Sequence, residues 1–428
     1  MISGMLQNPA CLGFYKWLMN MMTYEETMDF IHGTYKFGIK LGLENMRELL
    51  RILGEPQNSM KYVHVAGTNG KGSAVSFMCS ILEDAGYVTG KYVSPFIERF
   101  SERISVNGVE IGDEDLAVSA EKVKNAVEIM VANGFNHPTE FEVVTAIAFV
   151  YFREKQCDYA VLEVGMGGRF DSTNVIERPE VCIITNVDMD HMSYLGDTLE
   201  KIAAEKAGII KKGCPVVLSA QSETVEQVVA ATAEECRSPL TIARPEDYVI
   251  PELRLLGGFQ KKNAASVIAA ARIMGISENY IDSGLRRTEW PGRLEKCGTA
   301  PDVYVDGAHN PAAARVLVDS LTTLYPRETR YVFIIGMMAD KDIDGALKCF
   351  SEIAHSVITV TPDNPRAISA EKLALKVGNY CKNVTVSDTI INAMSLARKQ
   401  AGPDDVIIAC GSLYYIGEAR RLILDGKA

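Results

Sequence analysis

Hydrophobic and polar positions along this chain settle into one rhythm. Short runs of β-branched and apolar residues, several of them ending at glycine, alternate with longer stretches whose apolar positions recur every three or four residues. The first such unit is the sharpest. Tyr62-Val63-His64-Val65 runs into three glycines, and Ala74, Val75, Phe77, Met78, Ile81 and Leu82 then fall on a helical period. Upstream, residues 24 to about 53 predict two amphipathic helices parted near Gly38 and Gly42. Downstream the pattern predicts a strand at 90–93, a hairpin over 104–111 with an Asn107-Gly108 turn, and helices over 114–132 and from Thr139 to about Lys155. Strands at 159–164, 181–186, 215–218 and 240–243 follow, with helices carrying Glu205 and Lys206, spanning 223–235, and carrying Asn263. Trp290-Pro291-Gly292-Arg293-Leu294-Glu295 breaks the rhythm. It restarts with strands near 303–306, 331–335, 357–360, 384–386 and 406–409, each followed by a helix. Such βα alternation, with strands apolar throughout, is the mark of parallel sheets buried on both faces. The predicted fold is α/β in two units: a phosphate-loop ATPase-like domain with a mostly parallel sheet over 22–295, and a smaller Rossmann-like domain over 296–428. Residues 1–21 read as an N-terminal extension, because the helical pattern begins at Met22-Thr23-Tyr24.

Composition narrows the class. With 428 residues the chain is too long for one typical core. It is 47% apolar and 23% charged, as ordinary globular proteins are. A net charge of −11 argues against non-specific nucleic-acid binding while leaving room for a local basic pocket. The ten cysteines form no Cys-x-x-Cys pair, which favours reduced thiols in a cytoplasmic protein over a disulfide frame or zinc site. No apolar stretch reaches the ~18 residues of a membrane span. The first 21 residues lack the basic start and clean apolar core of a secretory signal.

Candidate chemistry gathers at the strand ends. Gly67-Thr68-Asn69-Gly70-Lys71-Gly72-Ser73 lies between a strand and a helix, where backbone N–H groups and the helix N-terminus cradle phosphates. Lys71 adds a point charge, and the Ser73 hydroxyl is suited to Mg²⁺. The loop departs from the strict G-x-x-x-x-G-K-[ST] pattern: Val65 replaces the first glycine, and Gly72 intervenes before Ser73. A glycine-rich turn without nucleotide is the alternative. The segment 94–104, with Ser94, Pro95, Phe96 and Arg103, has no clean period and reads either as a substrate loop or as solvated surface. Thr139 with Glu142 three residues on is a capping box, sufficient by itself to explain that carboxylate. Gly165-Met166-Gly167-Gly168-Arg169-Phe170-Asp171 follows a buried strand, where open α/β sheets bind ligands, and a plain turn does not need Arg169 and Asp171. His191 lies past the next strand beside Asp188 and Asp190, placing a metal or phosphate role against a structural one. Lys206 by itself reads as surface charge. Asn310 and Pro311 are a good N-cap and first helical residue, whereas Asp306 and His309 have no such explanation.

In order and spacing these motifs resemble the folylpolyglutamate synthase/dihydrofolate synthase family of Mur-type amide ligases, from about Thr23 to the C-terminus. They are His64 to Ser73, Ser94-Pro95 with Glu102-Arg103-Ile104, Phe141-Glu142, Gly165 to Asp171, Asp190-His191, Glu205-Lys206-Ala207-Gly208-Ile209, Trp290 to Glu295, Asp306 to Pro311, and Cys410-Gly411-Ser412-Leu413-Tyr414. The Gly-Lys-Gly-Ser ending of the loop is that family's own form. The resemblance implies that ATP phosphorylates a substrate carboxylate and that the glutamate amine attacks the acyl phosphate, releasing ADP and phosphate. It implies ATP contacts from Gly67, Thr68, Asn69, Gly70, Lys71, Gly72, Ser73, Asn263, Arg293, Asp306 and His309. Two Mg²⁺ ions are implied, held by Ser73, Glu142, His191 and a carbamylated Lys206, with Lys71, Lys206, His191 and Glu142 as the catalytic set. Ser94, Pro95, Phe96, Arg103, Arg169, Asp171 and Ser412 are implied on the folate or glutamate side. The smaller domain would carry the glutamate-ligase role. Expected partners are small molecules, namely folate or dihydropteroate, L-glutamate and ATP, with no nucleic acid or membrane, and the chain is expected to be a monomer. The expected activity is addition of L-glutamate to the γ-carboxylate of a (tetrahydro)folate. Dihydrofolate synthase, alone or as a second activity, is the alternative; another Mur-type ligase or a non-catalytic nucleotide-binding regulatory module stands behind it. Phe96 and Phe259 occupy positions where many relatives have histidine, which leaves the acceptor open.

Overall fold

The computed structural model describes residues 22–38 and 42–427; the expected extension at 1–21 lies outside them. Helices α1 (Tyr24–Gly33) and α2 (Glu44–Ile52) precede β1 (Lys61–Ala66) and α3 (Lys71–Asp84). Then come β2 (Thr89–Tyr92), the hairpin β3 (Ile104–Val106) and β4 (Val109–Glu110), α4 (Asp113–Ala132), α5 (Glu140–Glu154), β5 (Tyr159–Glu163) and β6 (Val181–Ile184). A single turn α6 (Met192–Leu195), α7 (Leu199–Ala207), β7 (Val216–Ser219), α8 (Glu223–Glu235), β8 (Leu240–Ala243), α9 (Phe259–Ile273) and α10 (Glu278–Arg287) complete the first unit. The second holds β9 (Glu295–Gly298), β10 (Asp302–Val305), α11 (Pro311–Leu324), β11 (Tyr331–Ile335), α12 (Ile343–Phe350), β12 (Ala354–Thr359) and α13 (Ala370–Val377). It ends with β13 (Val384–Val386), α14 (Ile390–Gln400), β14 (Val406–Cys410) and α15 (Leu413–Leu424).

Among the described residues the first sheet runs β4-β3-β2-β5-β1-β6-β7-β8, antiparallel only where the hairpin forms its edge. Asn107 and Gly108 take φ of 49° and 73°, as the predicted type I′ turn demands. β1 lies between β5 and β6, with Val63 opposite Val161 and Val181. Its alternate residues serve the two faces: Tyr62 joins Tyr92, Phe149 and Phe152 under α4 and α5, while Val63 and Val65 join Phe77, Met78 and Val267 under α3 and α9. Each such fully buried large side chain contributes about 1.5–3 kcal/mol. The chain leaves β1 towards one edge of the sheet and later returns to lay β6 on its other side. The loops after β1, β5 and β6 therefore open beside one another, at the kind of reversal where α/β sheets bind ligands.

The second sheet, β13-β12-β11-β14-β10-β9, is parallel except for β9. β9 is absent from the sequence reading because Glu295-Lys296-Cys297-Gly298 is short, mixed and half-exposed at an edge. The reading also lacks α10. It packs on α3 so closely that a Cβ on Gly284 would lie 2.6 Å from Ile81 Cα, and Arg287 pairs with Glu83 and Asp84. The nine described cysteines are unpaired, and seven of them are buried. No described helix is long and apolar enough to cross a membrane.

Candidate active site

The phosphate loop is shaped by what its glycines exclude. Gly67 (φ 152°) brings β1 against β6, and a Cβ there would sit 1.9 Å from Thr185 Oγ1. Gly70 (φ 88°) faces Asn263, whose Oδ1 would lie 2.4 Å from a Cβ. Gly72 lies under the Trp290 indole, with three ring atoms 2.8–3.0 Å from a Cβ. The Thr68 N–H donates to Asn186 O (2.6 Å), and the Thr68 hydroxyl bonds the Asp188 backbone (3.0 Å). The first turn of α3 carries no acidic side chain, so its N-terminal dipole is left for an anion. Ser73 Oγ accepts from Gln260 Nε2 (3.2 Å), and Gln260 Oε1 accepts from Asn263 Nδ2 (2.9 Å), so α9 braces the loop.

The charged groups around this loop come from distant segments. Lys71 Nζ donates to Thr68 O (3.3 Å) and lies 3.6 Å from Glu163 Oε1 at the end of β5. Burial pushes the Glu163 carboxyl up, against the pull of Lys71 and Arg293. Lys206 is not on the surface: it is 4% exposed, and its ammonium donates to Gly67 O (2.9 Å). Burial, then the Lys71 charge, pushes its pKa down to about 7. His191, in the left-handed region (φ 51°), is pushed down to about 4 by burial and then by Lys341, so its ring is neutral at neutral pH. The Thr139–Glu142 capping box forms as predicted: Glu142 Oε2 accepts from the Thr139 N–H (2.8 Å) and hydroxyl (2.9 Å). Among the described residues no three His, Cys, Asp or Glu side chains are grouped to hold a metal ion.

The second unit reaches the same place. Asp306 is buried, with Oδ2 accepting from Leu294 N and Oδ1 from Ala308 N, both at 2.7 Å. This corrects the sequence reading, which found no structural explanation for it: the carboxylate ties the domain crossover to the loop after β10. His309 Nδ1 lies 2.7 Å from Gly307 O and Nε2 lies 3.9 Å from Asp190. Asn310 caps α11 as predicted, but its amide also reaches Asn69 Oδ1 (3.4 Å) and Asp190 Oδ2 (3.3 Å), so capping is not its whole role. Lys341 Nζ donates to Asp190 Oδ1 (2.9 Å). Burial would raise the Asp190 carboxyl, but Lys341, with His191 and His309 behind it, holds it well below the usual range. Arg293 lies so close over Gly307 that a Cβ there would be 2.1 Å from its Nη1.

The loop after β2 is built by Glu102, which accepts from the N–H groups of Ile97 (2.7 Å), Glu98 (2.9 Å) and Arg99 (2.8 Å). Ser94 N lies 3.4 Å from Glu163 Oε2, and the Ser94-Pro95 bond is cis. Phe96 meets Phe100 edge-on (6.1 Å); the Arg103 guanidinium covers both rings (5.5 and 5.4 Å) and faces Glu140 (3.8 Å). Arg169 and Asp171 have partners that the sequence did not supply. Arg169 binds Glu205 and Ala204 O, both at 3.2 Å, and Asp171 accepts from Met166 N and from Thr173 N and Oγ1. Ser412 caps α15. Glu163, Gln260, Trp290 and Lys341 join the site although the sequence motifs do not mark them as ligands. Glu163 had a readable signal, a carboxylate closing a fully buried strand. Lys341 had none, since Asp340-Lys341-Asp342 reads as a solvated run.

Residues 65–246 match the Mur ligase middle domain, and residues 292–413 match the Mur ligase glutamate ligase domain. The dihydrofolate synthase/folylpolyglutamate synthase of Bacillus subtilis is 37% identical, over 93% of this chain and 98% of that one. The chain belongs to the folylpolyglutamate synthase/dihydrofolate synthase family. Two solved members of the family extend the likeness to the whole fold. Mycobacterium tuberculosis folylpolyglutamate synthase, complexed with ADP and AMPPCP, has a TM-score of 0.86 at 29% identity, covering 94% of this chain and 99% of that one. A bifunctional folylpolyglutamate synthase/dihydrofolate synthase with Mn, AMPPNP and L-glutamate bound has a TM-score of 0.83 at 28% identity, covering 94% and 98%. In this folylpolyglutamate synthase fold, the middle-domain match begins at β1 and contains the phosphate loop, and the glutamate-ligase match opens inside the Trp290–Glu295 crossover.

Proposed function

We propose that this chain is an ATP-dependent ligase that joins L-glutamate to the γ-carboxylate of a folate, releasing ADP and phosphate. The observation that carries this reading is the phosphate loop, closed by glycines that admit no side chain, within a chain whose family likeness covers 93% of its length. The loop N–H groups of Gly67 to Ser73 and the free α3 N-terminus cradle the phosphates, and Lys71 sits at their edge. Asn263, Arg293, Asp306 and His309 form the remainder of the nucleotide site. The expected division at 295/296, one residue into β9, then separates a nucleotide-binding domain from a glutamate-ligase domain.

The donors present suit a hard divalent ion such as Mg²⁺, which keeps several waters and needs few protein ligands. They are the Ser73 hydroxyl, the buried Glu142 carboxylate and the neutral His191 ring. Held by these residues, such an ion would supply positive charge against the phosphate oxygens. Lys206 is suited to modification: its buried amine, with pKa near 7, is largely neutral above that pH. The ammonium would lose one proton to give the neutral amine, which would form an N–C bond to CO₂ with loss of a second proton, leaving an anionic carbamate able to hold a second ion.

In the reaction an acceptor carboxylate oxygen attacks the γ-phosphorus and ADP leaves. The glutamate amine then attacks the acyl carbon, and the tetrahedral adduct collapses as phosphate departs. Positioning and charge stabilisation are the protein's contribution. His309, Asn310 and Lys341 close the site from the second domain and exclude water. Arg103 with Phe96 offers a cation and an aromatic face to the acceptor, with Ser94 and Pro95 shaping the loop; Arg169, Asp171 and Ser412 shape the walls on the folate and glutamate side. The unpaired cysteines fit a reducing cytoplasm, and we take the chain to act as a monomer on small molecules.

Dihydropteroate is the second acceptor to consider, since the B. subtilis relative is named for both activities. Incubation with ATP, Mg²⁺ and glutamate, with tetrahydrofolate or dihydropteroate, separates the readings by ADP release and product mass. Tetrahydrofolate should gain one glutamate per ADP. Glutamate-dependent ADP release that needs neither acceptor would overturn the folate reading.

A further inference from the structure

The loop from Ser94 to Arg103 is divided between two cores. Phe96 packs against the cluster formed by α4, α5 and β2 in the first domain, while its neighbour Ile97 packs against the cluster of α14, α15 and β10 in the second. Ile97 also lies where a Cβ on Gly292 would meet its Cδ1 at 2.9 Å, so the domain crossover presses on it. The α15 backbone approaches at Gly417, where a Cβ would be 2.2 Å from Ile97 O. One turn further along α15, Arg420 joins the pieces. Its Nη1 donates to Glu98 Oε1 (2.6 Å), and its Nε lies 3.0 and 2.9 Å from the two oxygens of Glu295. The three side chains are 23%, 12% and 24% exposed, so water screens this network weakly. A guanidinium spans two carboxylates with separate nitrogens, which a lysine ammonium on one stem does poorly.

We propose that Arg420 is a positioning residue for the acceptor. By holding Glu98 and Glu295 together, it fixes the Phe96–Arg103 face relative to the second domain, so that the acceptor site takes shape only as the domains close. The proposal rests on the reading that this loop lines the folate site. The path from Arg420 to the acceptor runs through Ile97 and Glu98, while its other partner, Glu295, accepts from the Gly292 N–H (2.8 Å) beside Arg293, so the constants for acceptor and ATP are read together.

The test is a comparison of Michaelis constants for the three substrates in the full-length enzyme carrying Arg420→Gln, Arg420→Lys, Glu98→Gln, the Arg420→Gln/Glu98→Gln pair, or Phe96→Ala. The expected result is a rise of about tenfold in KM for tetrahydrofolate in Arg420→Gln, with KM for ATP within about twofold of wild type and Arg420→Lys between the two. Glu98→Gln should act in the same direction, and the double variant should fall short of the product of the single effects. Phe96→Ala reports on the loop directly. If it raises the acceptor KM while the Arg420 and Glu98 variants do not, the positioning role is overturned and the loop reading stands. If Phe96→Ala also leaves the acceptor KM unchanged, the loop reading falls and the proposal with it. Equal shifts in all three constants, tracking a fall in melting temperature, would mark Arg420 as structural only and overturn the proposal.

Discussion

Gly72 separates the loop lysine from the loop hydroxyl, and the Trp290 indole lies where its side chain would be. Alanine inside a helix normally gains about 1 kcal/mol over glycine. Gly72→Ala should do the reverse, lowering the melting temperature and reducing kcat/KM for ATP at least tenfold as α3 and the indole are forced apart; a more stable variant of full activity would refute the contact. Lys206 carries the second residue-scale prediction. Lys206→Ala should lose most turnover, and enzyme held in CO₂-free buffer near pH 6 should regain activity when bicarbonate is added at pH 8, because the amine with pKa near 7 is mostly neutral there. Retained activity in Lys206→Ala would remove that role. His64 is fully buried beneath the loop after β5, 2.8 Å from Thr173 Oγ1, and burial, then Lys211, pushes it down to about 3. Unfolding restores a pKa near 6.5, so the unfolded chain binds the extra proton between those values. Stability should be complete above about pH 6.5 and fall by about 1.4 kcal/mol per unit below it. Urea midpoints measured from pH 7 to 4 should drop more steeply in wild type than in His64→Gln; parallel curves would rule this out.

Helices and strands were legible where their signal is local. The Thr139 and Asn310 caps, the Asn107-Gly108 turn and the run of βα units all depend on residues within four positions of one another. β9 and α10 escaped because one is a four-residue edge strand of mixed polarity and the other is fixed by its fit to α3. Asn310 shows two roles superposed on one element. Asn310→Asp keeps the cap, whereas Asn310→Ala loses it at a cost of about 1 kcal/mol. The aspartate, however, faces Asp190 across 3.3 Å. The expected pattern is an aspartate variant that melts near wild type yet turns over poorly, and an alanine variant impaired in both. Turnover of the aspartate variant equal to wild type would show that the amide's contact with Asp190 does nothing for catalysis.

At the scale of the whole molecule, Asp190 is the junction between the domains, meeting Lys341, His309 and Asn310 beside the phosphate loop. The Lys341 and Asp190 side chains are 13% and 12% exposed, so removing one partner strands a poorly solvated charge. Lys341→Met should open the domains, raising the radius of gyration seen by small-angle scattering without nucleotide and lowering kcat more than tenfold. Unchanged scattering and turnover would dismiss the latch.

Sequence by itself determined the two mostly parallel sheets, the glycine turn between β1 and α3, and the caps that start the helices, because these follow from the period of apolar residues and from backbone conformations that few residues adopt. It also carried the family likeness, which rests on motif order. Only the tertiary structure decided that Lys206 is buried against Gly67, that Glu163 stands beside Lys71, that Trp290 requires Gly72, and that Asp306 ties the domain crossover. Most of these contacts join segments roughly a hundred residues or more apart in the chain. Spacing within a segment says nothing about which distant segment will desolvate a charge or supply its partner, and it is that desolvation, rather than the residue type, that sets the chemistry of the site.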